Sequence, residues 1–170
     1  GFACFGAAPS PDLLAQYCHL DEADLALIAN LRGDHNRLGF ALMLAGVRFL
    51  GAFPHRLDDV PAAVLAILCE QIGIKAPVEL APYFKGSRRI PHLSMIRDHL
   101  GLSDFGDNRS ARFRLLRWLF TLCWSGDDRP GPLIMRATSW LIANKVLLPG
   151  VTVIERLVGT VRERARTRLW

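Results

Sequence analysis

The sequence predicts an all-α fold of about eight to nine helices in a bundle-like array, with one or two helix-turn-helix-like units. Three observations carry that prediction. Apolar residues recur at the helical period through most of the chain. Short Gly, Pro and Asp punctuation, such as Gly51 with Pro54, DDRPGP and Pro149–Gly150, separates the periodic stretches. No alternating stretch is long enough for a convincing strand.

The elements follow in order. Ser10 caps a first helix with Pro11 at its first position, and Leu13, Leu14 and Tyr17 face inward. Asp21 caps a second helix carrying Leu25, Ile28 and Ala29. A third starts near Asp34, read as its N-cap, runs through Leu38, Ala41, Leu42, Ala45 and Phe49, and ends at Gly51 and Pro54. The fourth spans Val60 to Ile72, with Val64, Leu65, Leu68 and Ile72 buried and Gly73 behind it. A short helical turn around Val78 to Phe84 leads into the cationic turn KGSRRIPH. The sixth helix starts near Pro91 and runs to Leu100, with Leu93, Ile96 and Leu100 inside. The seventh covers Arg109 to Trp124, with Phe113, Leu116, Phe120 and Trp124 inside and Arg112, Arg114 and Arg117 pointing elsewhere. The eighth, Leu133 to Leu147, carries Trp140 and Leu141. The ninth opens on a capping box at Thr152 and Glu155 and turns strongly cationic in RERARTRLW. Trp118, Trp124 and Trp140 are expected to be at least partly buried. Residues 21–50 and 76–100 share a pattern of short helix, cationic turn and longer helix, too weak to count as a repeat.

Composition narrows the function classes. At 51% hydrophobic residues, the chain is not a disordered one. No apolar run approaches the roughly 20 residues that cross a bilayer. Residues 1–8 lack the features of a signal peptide, and the scattered cysteines suit a reducing cytoplasm. The first residue, Gly1, is not methionine and Trp170 falls within a helical pattern, so both ends read as cuts in a longer protein. Cys4, Cys18, Cys69 and Cys123 are scattered, and Cys18–His19 and His92/His99 lack further ligands at metal spacing, so no metal or cofactor is expected. No nucleophile elbow, Walker loop or zincin motif occurs, and Asp127–Asp128 read as turn residues; no catalytic residue is assigned.

Charge is unevenly placed. Residues 1–84 hold 5 Lys/Arg against 9 Asp/Glu, residues 85–118 hold 8 against 3, and residues 119–170 hold 8 against 4. This suggests an N-terminal helical subdomain, 1–84, and a cationic one, 85–170, with a polyanionic partner such as nucleic acid. An ordinary solvated surface facing an acidic neighbour is the competing reading. Arg37 and Arg48 lie three turns apart on one edge of the third helix, the arrangement a DNA-reading helix uses; spacing alone favours their pairing with carboxylates such as Asp24 or Asp34. Lys85, Arg88 and Arg89 crowd a helix start, where backbone N–H groups also favour phosphate.

Four stretches come in a recognisable order: RGDHNRLGFALML-x3-RFLGAFP, then VPAAVLAILCEQIGI, then the turn with Arg89 and His92 ahead of IRDHLGLSDF, then KVLLPGVTVIERLV-x3-RERA-x3-LW. The chain, from about Ser10 to Trp170, resembles the N-terminal region of transposases of the Tn-three family, the enzymes of replicative bacterial transposons. NRLGFAL and LLPGVT-x2-ER are its most specific parts. Arg88 stands where the family's turn has Thr, Pro91 where an acid is common, and Leu102–Ser103 where Tyr-Arg is usual. The resemblance implies a non-catalytic helical segment that binds double-stranded DNA at terminal inverted repeats. It implies further domains of the same transposase, including an RNase H-like catalytic domain outside this chain, and room for a homodimer of the full-length protein. Its Asn-Arg at the recognition-helix start falls on Asn36 and Arg37. The candidate DNA-binding set is Asn36, Arg37, Arg48, Lys85, Arg88, Arg89, His92 and Arg97. The alternative is a protein-interaction module within the transposase assembly.

Overall fold

A computed structural model describes residues 9–75 and 77–168. They form nine α-helices: α1 (Pro11–Tyr17), α2 (Glu22–Ala29), α3 (Asp34–Leu50), α4 (Ala62–Ile72), α5 (Ala81–Lys85), α6 (Arg89–Leu100), α7 (Arg109–Trp124), α8 (Pro130–Ala143) and α9 (Val151–Thr167), with a 3-10 turn at Leu57–Asp59. Among the described residues β pairing is limited to one parallel bridge between Ser103 and Val146. The fold is all-α, as its periodicity predicts. α1–α6 make one compact unit and α7–α9 another. Residues 85–100, grouped by charge with the second half, pack as part of the first unit, because α6 lies on α3.

The first unit is built around α3. Ten consecutive residues, Leu38–Val47, are buried, because α1, α2, α4, α5 and α6 all pack against this helix. A helix apolar on every side requires such a sheath. Two glycines set how closely the sheath approaches. A Cβ on Gly39 would lie 2.5 Å from Tyr83 Cγ, and one on Gly46 would lie 2.3 Å from Pro54 Cγ. The start of α3 differs from expectation. Gly33, at φ +83, occupies the N-cap with no side-chain bond, and Asp34 is the first helical residue. That left-handed φ suits glycine, and Gly33 O accepts the first intrahelical bond, from Arg37 N at 3.1 Å.

Other local signals behave as the chemistry dictates. Ser10 accepts from Leu13 N, and Asp21 and Asp24 form a reciprocal capping box. Gly51 and Gly73 end α3 and α4 in the left-handed conformation. α4 starts at Ala62 rather than Val60, since Leu57–Asp59 forms its own turn and Pro61 takes the N-cap. α6 starts two residues before Pro91, which is tolerated because the first N–H groups of a helix have no intrahelical acceptor. Leu13 is 38% exposed while Leu14 is buried, and Ala29 is exposed.

In the second unit, the face that α7 buries is not the expected one. Ala111, Leu115, Leu119 and Cys123 are inside, and Phe113 and Trp124 are 66% and 54% exposed. α9 packs on α7 with Ile154, Val158, Val161 and Ala165 buried. The narrower Ala and Cys side chains admit closer helix contact than a row of rings, so the aromatic stripe turns outward. Trp118 and Trp140 are half-buried as expected, and Trp124, stacked on Phe120, is the most exposed of the three. α8 spans 130–143: Pro130 opens it, and Lys145 at φ 56 breaks it before Val146 joins the bridge. The capping box expected at Thr152 is not formed, because α9 begins at Val151 behind a Gly150 N-cap. Asp127 and Asp128 do more than turn the chain. Asp127 pairs with Arg136 at 3.0 Å, Asp128 pairs with Arg166 at 3.2 Å, and the Asp128 carbonyl accepts from Arg162.

Gly39→Ala is expected to cost about 1–3 kcal/mol in urea denaturation, because the new methyl overlaps the Tyr83 ring and the core must shift.

Candidate nucleic-acid interface

The cation expected to steady a DNA-reading helix is committed inside the protein. Arg48 Nη1 and Nη2 bond Asp24 Oδ2 and Oδ1 at 2.7 and 2.9 Å. His99 Nε2 lies 2.8 Å from the same Oδ1, and the Asp21 backbone N–H donates to Oδ2 at 3.0 Å. Asp24 has no solvent exposure. Burial pushes its carboxyl up, but the bonds from Arg48, His99 and the Asp21 backbone together outweigh that and hold it below the usual carboxylate range. Arg48 therefore makes the internal ion pair with Asp24 that its spacing allowed.

Arg37 is also engaged. Its Nη2 donates to the Ile72 carbonyl at 3.0 Å, capping the C-terminus of α4, and its Nη1 lies 3.4 Å from Asp34 Oδ1. Its side chain keeps 29% of its exposure, so base reading would require giving up these bonds. Asn36, half-buried, donates from its amide to the Arg32 carbonyl at 2.8 Å. α3 as a whole cannot lie along a groove, because only its end turns reach the surface.

The turn between α5 and α6 divides the same way. Lys85 and Arg88 are exposed. Arg89 donates from Nη2 to the Pro54 carbonyl at 2.6 Å and lies over the Phe84 ring, 5.4 Å from its centroid. His92 is a core residue, 6% exposed, sharing a 2.9 Å hydrogen bond with Tyr83 Oη and meeting Phe40 edge-on. Burial first, and the Arg88 charge second, push the His92 pKa down, so the ring is neutral near pH 7. A ring so enclosed does not reach a duplex, and the expectation for His92 is corrected. Arg97 is half-buried on α6.

The candidate set omitted the cations of the second unit. Residues 101–170 hold 12 Lys/Arg against 6 Asp/Glu, while residues 1–100 hold 9 against 10. Arg109, Arg112, Arg114 and Arg117 on α7 are all exposed. Arg112 and Arg114 lie over the Phe105 and Trp140 rings, at 6.0 and 5.6 Å. Beside Arg117, α7 and α9 frame an open groove of about 490 Å³, floored by Phe113, Leu116, Phe120 and Val161. Arg117, Arg164 and Arg168 stand along it. The uneven charge is visible in the sequence; the aromatic neighbours are not, because α7 carries two apolar stripes of helical period.

Among the described residues no three His, Cys, Asp or Glu side chains converge as metal ligands, and no helix is long and apolar enough to cross a membrane. The family described as "Domain of unknown function (DUF4158)" matches residues 2–161. The chain belongs to that family. This DUF4158 chain is similar to transposases of the Tn-three family. It is 44% identical over 170 residues to "Transposase for transposon gamma-delta" of Escherichia coli (strain K12), covering 99% of this chain and 17% of the relative. It is 29% identical over 160 residues to "Transposase for transposon Tn1546" of Enterococcus faecium, covering 93% and 16%. Against "Transposase for transposon Tn2501" of Escherichia coli it is 31% identical over 156 residues, covering 90% and 15%. The chain thus spans about a sixth of the length of the curated relatives it matches.

Arg48→Ala strands the Asp24 carboxylate in the interior, with only His99 and one backbone N–H, and should cost about 3–5 kcal/mol in chemical denaturation. The His92 shift has its own pH signature. A histidine whose folded pKa is depressed lowers stability as the pH falls below its unfolded value of about 6.5. His92→Gln should therefore melt below wild type at pH 7, with the gap narrowing towards pH 5, as read by thermal unfolding across that range.

Proposed function

We propose that this chain is the non-catalytic DNA-binding segment of a replicative transposase, engaging the terminal inverted repeats of its transposon. The observation that carries the reading is its similarity, over nearly its whole length, to about a sixth of several transposases. A segment of that size, with no recognisable catalytic motif, fits a role in placing the enzyme on its ends. In this reading the remaining domains of the same transposase carry the chemistry, and the protein works on the nucleoid in the bacterial cytoplasm.

The surface chemistry supports the reading and narrows the contacts. Lys85 and Arg88 are exposed beside the N-terminus of α6, where free backbone N–H groups add to their attraction for phosphate. Arg109, Arg112 and Arg114, exposed on α7, supply a second cationic surface. Asn36 is the member of the original set best suited to a base edge, since its amide has one local bond and the residue keeps part of its exposure. Arg48, Arg89 and His92 serve the fold in this proposal.

The test is a gel-shift titration with the inverted repeat flanking the gene against a scrambled duplex, at two salt concentrations. Preference for the repeat is expected. Lys85→Ala combined with Arg88→Ala should weaken both duplexes alike and reduce the salt slope by about two units. Equal affinity for the two duplexes would sink sequence-specific binding, and an unchanged slope would remove this turn from the interface.

A further inference from the structure

We propose that the groove between α7 and α9 is a docking site for an acidic amphipathic α-helix of a protein partner. The stripe on α7 is Phe113, Phe120 and Trp124, spaced i, i+7 and i+11, one face of a helix over about 16 Å. Phe113 and Trp124, at the two ends of this stripe, are each more than half exposed, and Phe120 lies between them, stacked with Trp124. The floor continues through Leu116 to Val161 on α9. A floor of this length and chemistry fits the apolar face of one helix laid along it.

Charge selects the partner. Among the described residues, Arg117, Arg164 and Arg168 line the groove and no carboxylate does. Among the described residues Arg117 and Arg164 make no ion pair. Carboxylates flanking an apolar stripe would meet these cations while the stripe covers the rings. A duplex offers phosphates to the arginines but nothing to cover the floor. A single strand would stack bases on aromatic faces. Those of Phe120 are already approached by neighbours: Trp124 is stacked on it at 6.0 Å, and the Arg168 guanidinium lies over the ring at 5.8 Å. The arrangement favours a protein helix over nucleic acid, and it stands whether or not the chain binds inverted repeats.

The test uses the whole chain and a synthetic, roughly 15-residue peptide with leucines along one helical face and glutamates beside them. The reporter is the Trp124 indole N–H resonance, assigned by its loss in Trp124→Phe. The peptide should shift that resonance and bind at least about tenfold more tightly than a scrambled peptide of the same composition. Phe113→Ser and Arg164→Glu should each weaken it about tenfold, with helical circular dichroism unchanged; both side chains are exposed, so folding is not at stake. Equal binding of the scrambled peptide, or indifference to both substitutions, overturns the proposal. So does a Trp124 shift produced by a single-stranded or duplex oligonucleotide but not by the peptide. A shift produced by raising the protein concentration alone would assign the face to a second copy and overturn it too. A gel shift that succeeds while the peptide fails, or the reverse, keeps the two readings distinguishable.

Discussion

A carboxylate with no access to water constrains the first unit. Asp24 receives both terminal nitrogens of Arg48, one ring nitrogen of His99 and the Asp21 backbone N–H. Its burial is tolerable only because these donors replace the water it has lost. The arrangement fixes three helices at once, since Asp24 is on α2, Arg48 on α3 and His99 on α6. It also determines what α3 can offer outside. With Arg48 held by Asp24 and Arg37 held by the end of α4, the central helix has little charge left for an external ligand.

The contrast between the units follows. The first has nearly balanced charge and turns much of its cationic side-chain chemistry inward. The second carries twice as many Lys/Arg as Asp/Glu and keeps the arginines of α7 exposed, some of them over aromatic rings. Aromatic contact holds a guanidinium in place without neutralising it, whereas a carboxylate does both. Arginines of the first kind retain their attraction for anionic partners.

Much of the architecture was legible in the sequence because it rests on local chemistry. Ser10, Asp21, Gly51 and Gly73 mark helix ends through bonds and dihedral angles that nearby residues determine. The pairing of Arg48 with Asp24 was among the readings its spacing allowed. What local rules could not decide was the choice between two apolar stripes on α7. Both have helical period, and the outcome depends on how closely α9 packs, a property of the pair of helices. The fate of His92 was hidden for a similar reason. A histidine in a cationic turn reads as a surface group until Tyr83 and Phe40, from α5 and α3, are seen around it. Family resemblance identified the segment well, but could not say which of its cations face solvent.

The pairing of Asp24 with His99 joins positions 75 residues apart. It therefore bears on where this polypeptide could be divided. A break after residue 84 would follow the change in charge along the chain, yet it would remove α6 and with it His99, His92 and Ile96. The shortened piece would keep the carboxylate and lose one of its donors, and a side of α3 would be uncovered. Dissection for expression or domain exchange belongs instead after residue 100, where α6 ends and Gly101 adopts a left-handed φ of 65.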